Sequence, residues 1–444
     1  MYATHHQTKQ QGLLMLVVVI IIALLSSAYV LRHYNVAAQQ RAQDKKTMLA
    51  LAVAKQALLA YAAEPISALP NKALLTCGTN CIRPGDLPCP DTSNNGEAGT
   101  KCNSQSTRLG RLPWKTLGVD DLRDGAGERL WYAVSNQYKN NHRVLSLNSD
   151  SLATISLRNA EGVLINDAGA DSGLVALIIA PGRVLTRADG LRQYRSPANI
   201  NLAQHYLDIA LNEDNADFVD GTDNGFVIAN KHNQSNINDV ILPISRDEIN
   251  VAMESRVLLE VRQAMQYFYK VNAYYPLPAS ASDTSCFGTV TLAAGACVES
   301  SNQAMGRVAV TSSTNGTDLW ASLDQNSILR GEQNNNWFQQ NGWRELLFYA
   351  PASTCTQTAN NCSAVGGDLI LDHAQSPIDS PSANNKQVVL LVTGKTLQGQ
   401  TRVSNSDKTL LINYLEDTEN LDMDKHYMRQ IVEPSNNDRL VAIP

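Results

Sequence analysis

No local signature of catalysis is present in this chain: Gly-x-Ser-x-Gly, His-Glu-x-x-His, the Walker phosphate loop and Gly-x-Gly-x-x-Gly are all missing. Their absence removes the short motifs that mark a strained strand-turn nucleophile, a helical zinc site and the phosphate-cradling loops. Charge is scarce as well, at 18% of residues, with a net of −6 and no dense run of Lys or Arg. A chain without a basic stripe lacks the electrostatic footprint of phosphate-backbone binding, so no nucleic-acid partner is expected. Eight histidines stand scattered at 5, 6, 33, 142, 205, 232, 373 and 426, none with a Cys or carboxylate at ligand spacing. Glycine and proline, which interrupt helices, are absent from Leu13 through Glu64. The chain therefore reads as a non-enzymatic protein, with no catalytic residues expected and one uninterrupted helix near its start.

What is there begins with length and cysteine. At 444 residues the chain exceeds one ordinary core and favours two or three domains. Its eight cysteines, Cys77, Cys81, Cys89, Cys102, Cys286, Cys297, Cys355 and Cys362, are even in number and suggest disulfides formed in an oxidising compartment. Cys77-x3-Cys81 departs from the usual zinc doublets and has no histidine nearby. Proximity favours Cys286–Cys297 and Cys355–Cys362 as local loops, while the first four cysteines allow three pairings.

Leu13 to Leu31 carries no charge and as a helix covers about 28 Å, close to the hydrocarbon thickness of a bilayer. The expectation is one helix over 13–64 whose first part, 13–31, spans a membrane. Met48, Leu51, Leu58 and Tyr61 then form an apolar stripe on the later part, expected to pack on its own domain. A cleaved secretory signal with Ser26-x-Ala28 as its site and an ordinary signal anchor are rival accounts of the same run. Arg32, Arg41, Lys45 and Lys46 after the run, against Lys9 before it, oppose an outward-facing body; the cysteines favour one.

Gln10-Gln11-Gly12 followed by Leu13-Leu14-Met15-Leu16-Val17 resembles the prepilin-type leader of type IV pilins and type II secretion pseudopilins. The resemblance implies a leader over 1–12, cut after Gly12 by a prepilin peptidase, N-methylation of Leu13, and packing against other pilin-like subunits through the N-terminal helix. Most members of that family carry Glu five residues beyond the cut; Val17 stands there, as in some minor subunits that resemble this pattern.

The chain also repeats itself at an offset of roughly two hundred residues. Ala54-Lys55-Gln56-Ala57-Leu58 is echoed by Val261-Arg262-Gln263-Ala264-Met265, and Glu128 to Ala133 by Glu345 to Ala350. The apolar run from Gly173 to Gly182 is echoed by Val388 to Gly394, Leu202 to Asp217 by Leu410 to Asp422, and Asn238 to Ile241 by Asn437 to Val441. The boundary falls near Arg246-Asp247-Glu248, dividing a first globular module, 65–247, from a second, 248–444, with its own amphipathic helix. The expected fold is therefore α+β: a long N-terminal transmembrane and amphipathic helix, then two tandem pilin-like modules, each a helix on a small, mainly antiparallel sheet. Tyr275-Pro276 and Asp124 to Tyr132 loosely resemble the loop and aromatic strand of pseudopilin heads.

Glu213, Asp214, Asp217, Asp220 and Asp223 form an oxygen-rich segment that could hold a structural calcium, a reading the family resemblance makes relevant. Glu416, Asp417, Glu419, Asp422 and Asp424 recur at the matching place. No other cofactor is expected. Trp114, Trp131, Trp320, Trp337 and Trp343 read more simply as core than as a ligand platform. The resemblance implies a structural subunit of a type IV pilus or type II secretion-type filament, initiating, at the tip or in low abundance. Its body would be periplasmic, with a single pass through the inner membrane. The alternative is a single-pass membrane-anchored binding protein or adhesin outside any filament.

Overall fold

The computed structural model describes residues 8–64, 83–140, 146–211, 213–218, 225–228, 237–289, 292–293, 295–301, 303–323, 327–330, 337–359, 362–373, 385–430, 433 and 435–444; the side chains of 8–14, 28–37 and 363–364 lie outside that description. Helix α1 runs without a break from Thr8–Ala63, about 84 Å at helical rise. It ends where Glu64 precedes Pro65, a position pushed away from helical geometry by the proline ring. Its later part enters the body: Ala50, Leu51, Ala54, Leu58 and Ala62, spaced by one to four residues, are buried. The entry point is fixed at Gly125, whose N–H donates to Thr47 Oγ1 (2.9 Å). A Cβ there would stand 2.3 Å from the Gln43 carbonyl oxygen, so only glycine lets the helix pass so close.

Helix α2, Arg246–Asn272, has a sequence-encoded start. Ser245 accepts from the Glu248 N–H, the Glu248 carboxylate accepts from the Ser245 N–H, and Asp247 and Glu248 add negative charge to the first turn. Ile249, Met253, Val257, Val261, Met265 and Phe268 put an apolar stripe on the core. The helix closes on Ala273 in the left-handed region (φ 65°).

Two four-stranded antiparallel sheets carry the body. The first has the order β1-β2-β5-β9, from Leu109–Arg111, Trp131–Val134, Leu174–Ala180 and Val240–Ser245. The second has the order β10-β11-β13-β15, from Gly306–Arg307, Leu347–Pro351, Val388–Val392 and Arg439–Ile443. Their registers correspond: Arg111 opposes Trp131 and Arg307 opposes Phe348; Ile178 opposes Tyr132 and Leu242, and Leu390 opposes Tyr349 and Val441. Three smaller sheets complete the strands: β4-β3-β8 (Leu164–Asn166, Leu157–Asn159, Phe226–Ile228), β6-β7 (Ile209–Ala210, Glu213–Asp214) and β12-β14 (Ile370–His373, His426–Arg429). The β3/β8 and β12/β14 pairs are parallel.

Two expectations are corrected. Among the described residues no helix is long and apolar enough to cross a membrane, so the span at 13–31 and the single-pass inner-membrane placement are withdrawn. The fold is mixed α/β with several small sheets, in place of an α+β pair of modules with one helix on one sheet each. Strand β5 is the reason in the first half. It is buried along its whole length: Ala176, Ile178 and Ala180 face the helices, while Leu177 and Ile179 face a second core with Ile155, Leu157, Phe218 and Phe226. A strand apolar on both faces needs cover on both, and the β4-β3-β8 sheet supplies the second layer. Helix α2 is the reason in the middle: it packs on α1 and β9 as well as on β13 and β15, and one apolar cluster runs through both halves.

Candidate functional site

Two constellations stand out, an uncovered helical arm and a clasp built twice. In the arm, Met15 to Ile22, Leu24 and Leu25 are all exposed, from 47% at Val17 and Val18 to 73% at Met15. Isolated exposed apolar residues are ordinary, whereas an unbroken apolar helical surface marks an interaction site. Each Leu, Ile, Val or Met that became buried would contribute about 1.5–3 kcal/mol, so covering the arm would release more free energy than the whole stability of a typical domain. Chemically the arm offers shape and dispersion only. Ser26 and Ser27 turn their hydroxyls back onto the Ala23 carbonyl (2.9 and 2.7 Å), which leaves the surface without competing donors there. Gly12 and Leu13, the expected processing pair, lie in the first turns of α1, and their side chains are outside the description.

The clasp fastens the last strand of each sheet. In the first half, Asp208 Oδ2 accepts from the N–H groups of Asn238 (2.7 Å) and Asp239 (3.1 Å), and Asp239 Oδ2 accepts from the Asp208 N–H (2.8 Å). Gln193 Nε2 donates to Asp208 Oδ1 (2.8 Å). The Arg111 guanidinium lies 4.1 Å from the Trp131 ring centre and 4.0 Å from that of Tyr206, with Arg195 over the same Tyr206 at 5.1 Å. In the second half, Glu416 Oε2 accepts from the Asn437 N–H (3.2 Å), and Gln400 Nε2 donates to Glu416 Oε1 (2.9 Å). There Arg307 sits 3.9 Å from Phe348 and 4.3 Å from Tyr414, with Arg402 at 4.6 Å from Tyr414.

Burial, followed by the neighbouring Asp208 charge, pushes the Asp239 carboxyl well above the usual carboxylate range; burial, followed by Glu416, does the same to Asp438. Burial also pulls Arg111 and Arg307 down to about 10. Asp208, Asp239 and Asp438 are buried and Glu416 is half-buried, so both carboxyl pairs sit between chain segments rather than on an open surface. The clasp's role is thus to fix β9 and β15, not to meet a substrate. Its signature was visible in sequence as two recurring pieces beyond those recognised there: Gly110-Arg111 with Gly306-Arg307, and Gln193-x-Arg195 with Gln400-x-Arg402.

Of the acidic segment, Glu213, Asp214 and Asp217 are described. Glu213 pairs with Arg158 (2.9 Å) and accepts from the Gly225 N–H (2.5 Å), while Asp214 pairs with Arg187 (2.5 Å). Their charges are met by guanidinium groups; Asp217 is exposed, and Asp220 and Asp223 lie outside the described residues. Among the described residues, the carboxylates close enough to share a cation are Glu419, Asp422 and Asp424, within 4.8 Å of one another. His426 joins them, with Nδ1 2.5 Å from Glu419 and Nε2 against Asp372. Partial burial lowers the His426 pKa, but the Asp372, Glu419 and Asp424 carboxylates outweigh it and raise the imidazole above its ordinary value. Disulfides join Cys89–Cys102, Cys286–Cys297 and Cys355–Cys362; Cys77 and Cys81 lie outside the described residues. Trp131, Trp320, Trp337 and Trp343 are buried in the core, and Trp114 is half-buried.

Comparison with family models, curated proteins and solved structures gave no match.

Proposed function

We propose that this chain is a structural subunit of a filament of the type IV pilus or type II secretion pseudopilus kind, at an initiating, tip or low-abundance position. The single observation that carries the reading is the apolar arm of α1, exposed from Met15 to Leu25 and continuous with a helix whose far end is buried in the head. Helices of other pilin-like subunits would cover it. Val17 adds to the choice of position: without a carboxylate there, this subunit has no acid to offer the terminal amine of a neighbour. The resemblance of Gln10-Gln11-Gly12-Leu13 further supports cutting after Gly12 by a prepilin peptidase, with methylation of Leu13. The work of the chain is assembly, without catalysis.

A photo-reactive residue at Val19 in the full chain tests the reading. The expected result is cross-linking to other pilin-like subunits within an isolated filament, lost when Ile20→Asp and Ile22→Asp are introduced. Recovery of uncross-linked single chains, or assembly undisturbed by the two charges, would overturn it. Mass analysis of the mature N-terminus checks the cut separately.

A further inference from the structure

The two halves part company at one place where the repeat makes them comparable. In the first half, α1 and the free edge of β9 form a furrow, and α2 lies along it. Lys55 Nζ donates to the Pro243 carbonyl on β9 (2.9 Å) and pairs with Glu248 in the first turn of α2 (2.5 Å). In the second half, α2 and the edge strand β15 form the same furrow, a groove of about 520 Å³ floored by Leu258, Leu259, Leu440 and Val441. By sequence Arg262 takes the place of Lys55, and by strand register Ala442 takes that of Pro243. Yet no segment fills this second furrow among the described residues. Arg262 makes no hydrogen bond or ion pair there, and Leu259 is 41% exposed.

We infer that the α2/β15 groove docks an amphipathic helix of a partner protein whose first turn carries a carboxylate. Three observations choose this occupant. The groove is apolar below, and along its walls the cations Arg262, Arg429 and Arg439 outnumber the one acid, Asp438; among the described residues Arg439 alone of the three pairs with a carboxylate, Glu254. A strand is disfavoured, because Arg429 already caps the outward Leu440 carbonyl of β15 (Nε at 2.8 Å), the group an added strand would need. The exposed arm of a second copy carries no acid from Met15 to Ser27 and so leaves Arg262 unmet. The chain also shows what a fitting helix looks like: α2, with Glu248 in its first turn, occupies the equivalent place in the first half. This inference is independent of the filament role.

The probe is a labelled peptide of residues 245–272, added to the intact full-length chain and followed by fluorescence anisotropy. Saturable binding is expected, weakened at least tenfold by Arg262→Glu in the protein and by Glu248→Lys in the peptide, and restored when the two reversals are combined. Arg262→Gln, a milder change at a partly exposed and unpaired side chain, is expected to fall between them. The ordering cost of the free peptide is common to all arms and cancels. Absent binding, or binding indifferent to Arg262, would overturn the inference. So would self-association of the full chain that Arg262→Glu abolishes, because that would assign the groove to a second copy.

Discussion

Glu254 offers a sharp test of how the two halves are held together. It sits on α2 with only 2% of its surface exposed; its Oε1 accepts from Ser149 Oγ (2.9 Å) in the first half and its Oε2 pairs with Arg439 Nε (2.7 Å) in the second. Burial is the largest influence on its carboxyl and pushes the pKa upward; Arg439 and Ser149 pull it down without prevailing, and Asp150 adds to the rise, leaving it at about 7 from an ordinary 4.5. The folded state thus binds this proton more tightly than the unfolded chain does. Its contribution to stability is complete below pH 4.5, declines as pH rises, and is lost above about pH 7. At about 1.4 kcal/mol per pH unit, the span from 4.5 to 7 corresponds to about 3 kcal/mol. Glu254→Gln removes the titration while keeping an acceptor for Ser149. Urea unfolding of both proteins, followed by circular dichroism with disulfides intact from pH 4.5 to 8, reads the difference; the other carboxyls are common to both and cancel. The wild type should lose about 3 kcal/mol relative to the variant over that range. Parallel pH profiles would refute the assignment of a buried, proton-holding Glu254.

Leu58→Ala, at a fully buried position between α1 and the first sheet, should cost about 3 kcal/mol in the same unfolding assay, whereas Leu49→Ala on the exposed face of that helix should cost little. Replacing Cys286 and Cys297 together by serine opens a loop with a separation of 11 residues and should cost about 2–3 kcal/mol; a change within error would argue that the loop is held by other contacts. Ser245→Ala removes the cap of α2 and should cost about 1 kcal/mol, with faster amide exchange confined to the first turn. Asp438→Asn removes a carboxyl that burial, and then the Glu416 charge, hold above its usual range, and should stabilise the chain above neutral pH while leaving acidic pH unchanged; equal effects at both would contradict a raised Asp438 carboxyl.

Short-range chemistry was legible in the residues alone. The unbroken α1 follows from the absence of Gly and Pro after Gly12, the boundary before α2 from the repeat and the charged Arg246-Asp247-Glu248, and two of the disulfides from cysteines 11 and 7 residues apart. What the apolar run of α1 is for was not legible, because hydropathy reports what a surface avoids and not what covers it. Nor were the partners of acids and cations. Asp208 and Asp239 meet across 31 residues and Glu254 and Arg439 across 185, and the guanidinium groups of Arg158 and Arg187 take up carboxylates that the sequence pattern had gathered for a cation. Such pairings depend on which strands lie side by side, and only the folded chain decides that: a strand apolar on both faces, as β5 is, draws a second layer over itself, and one helix, α2, serves two sheets at once.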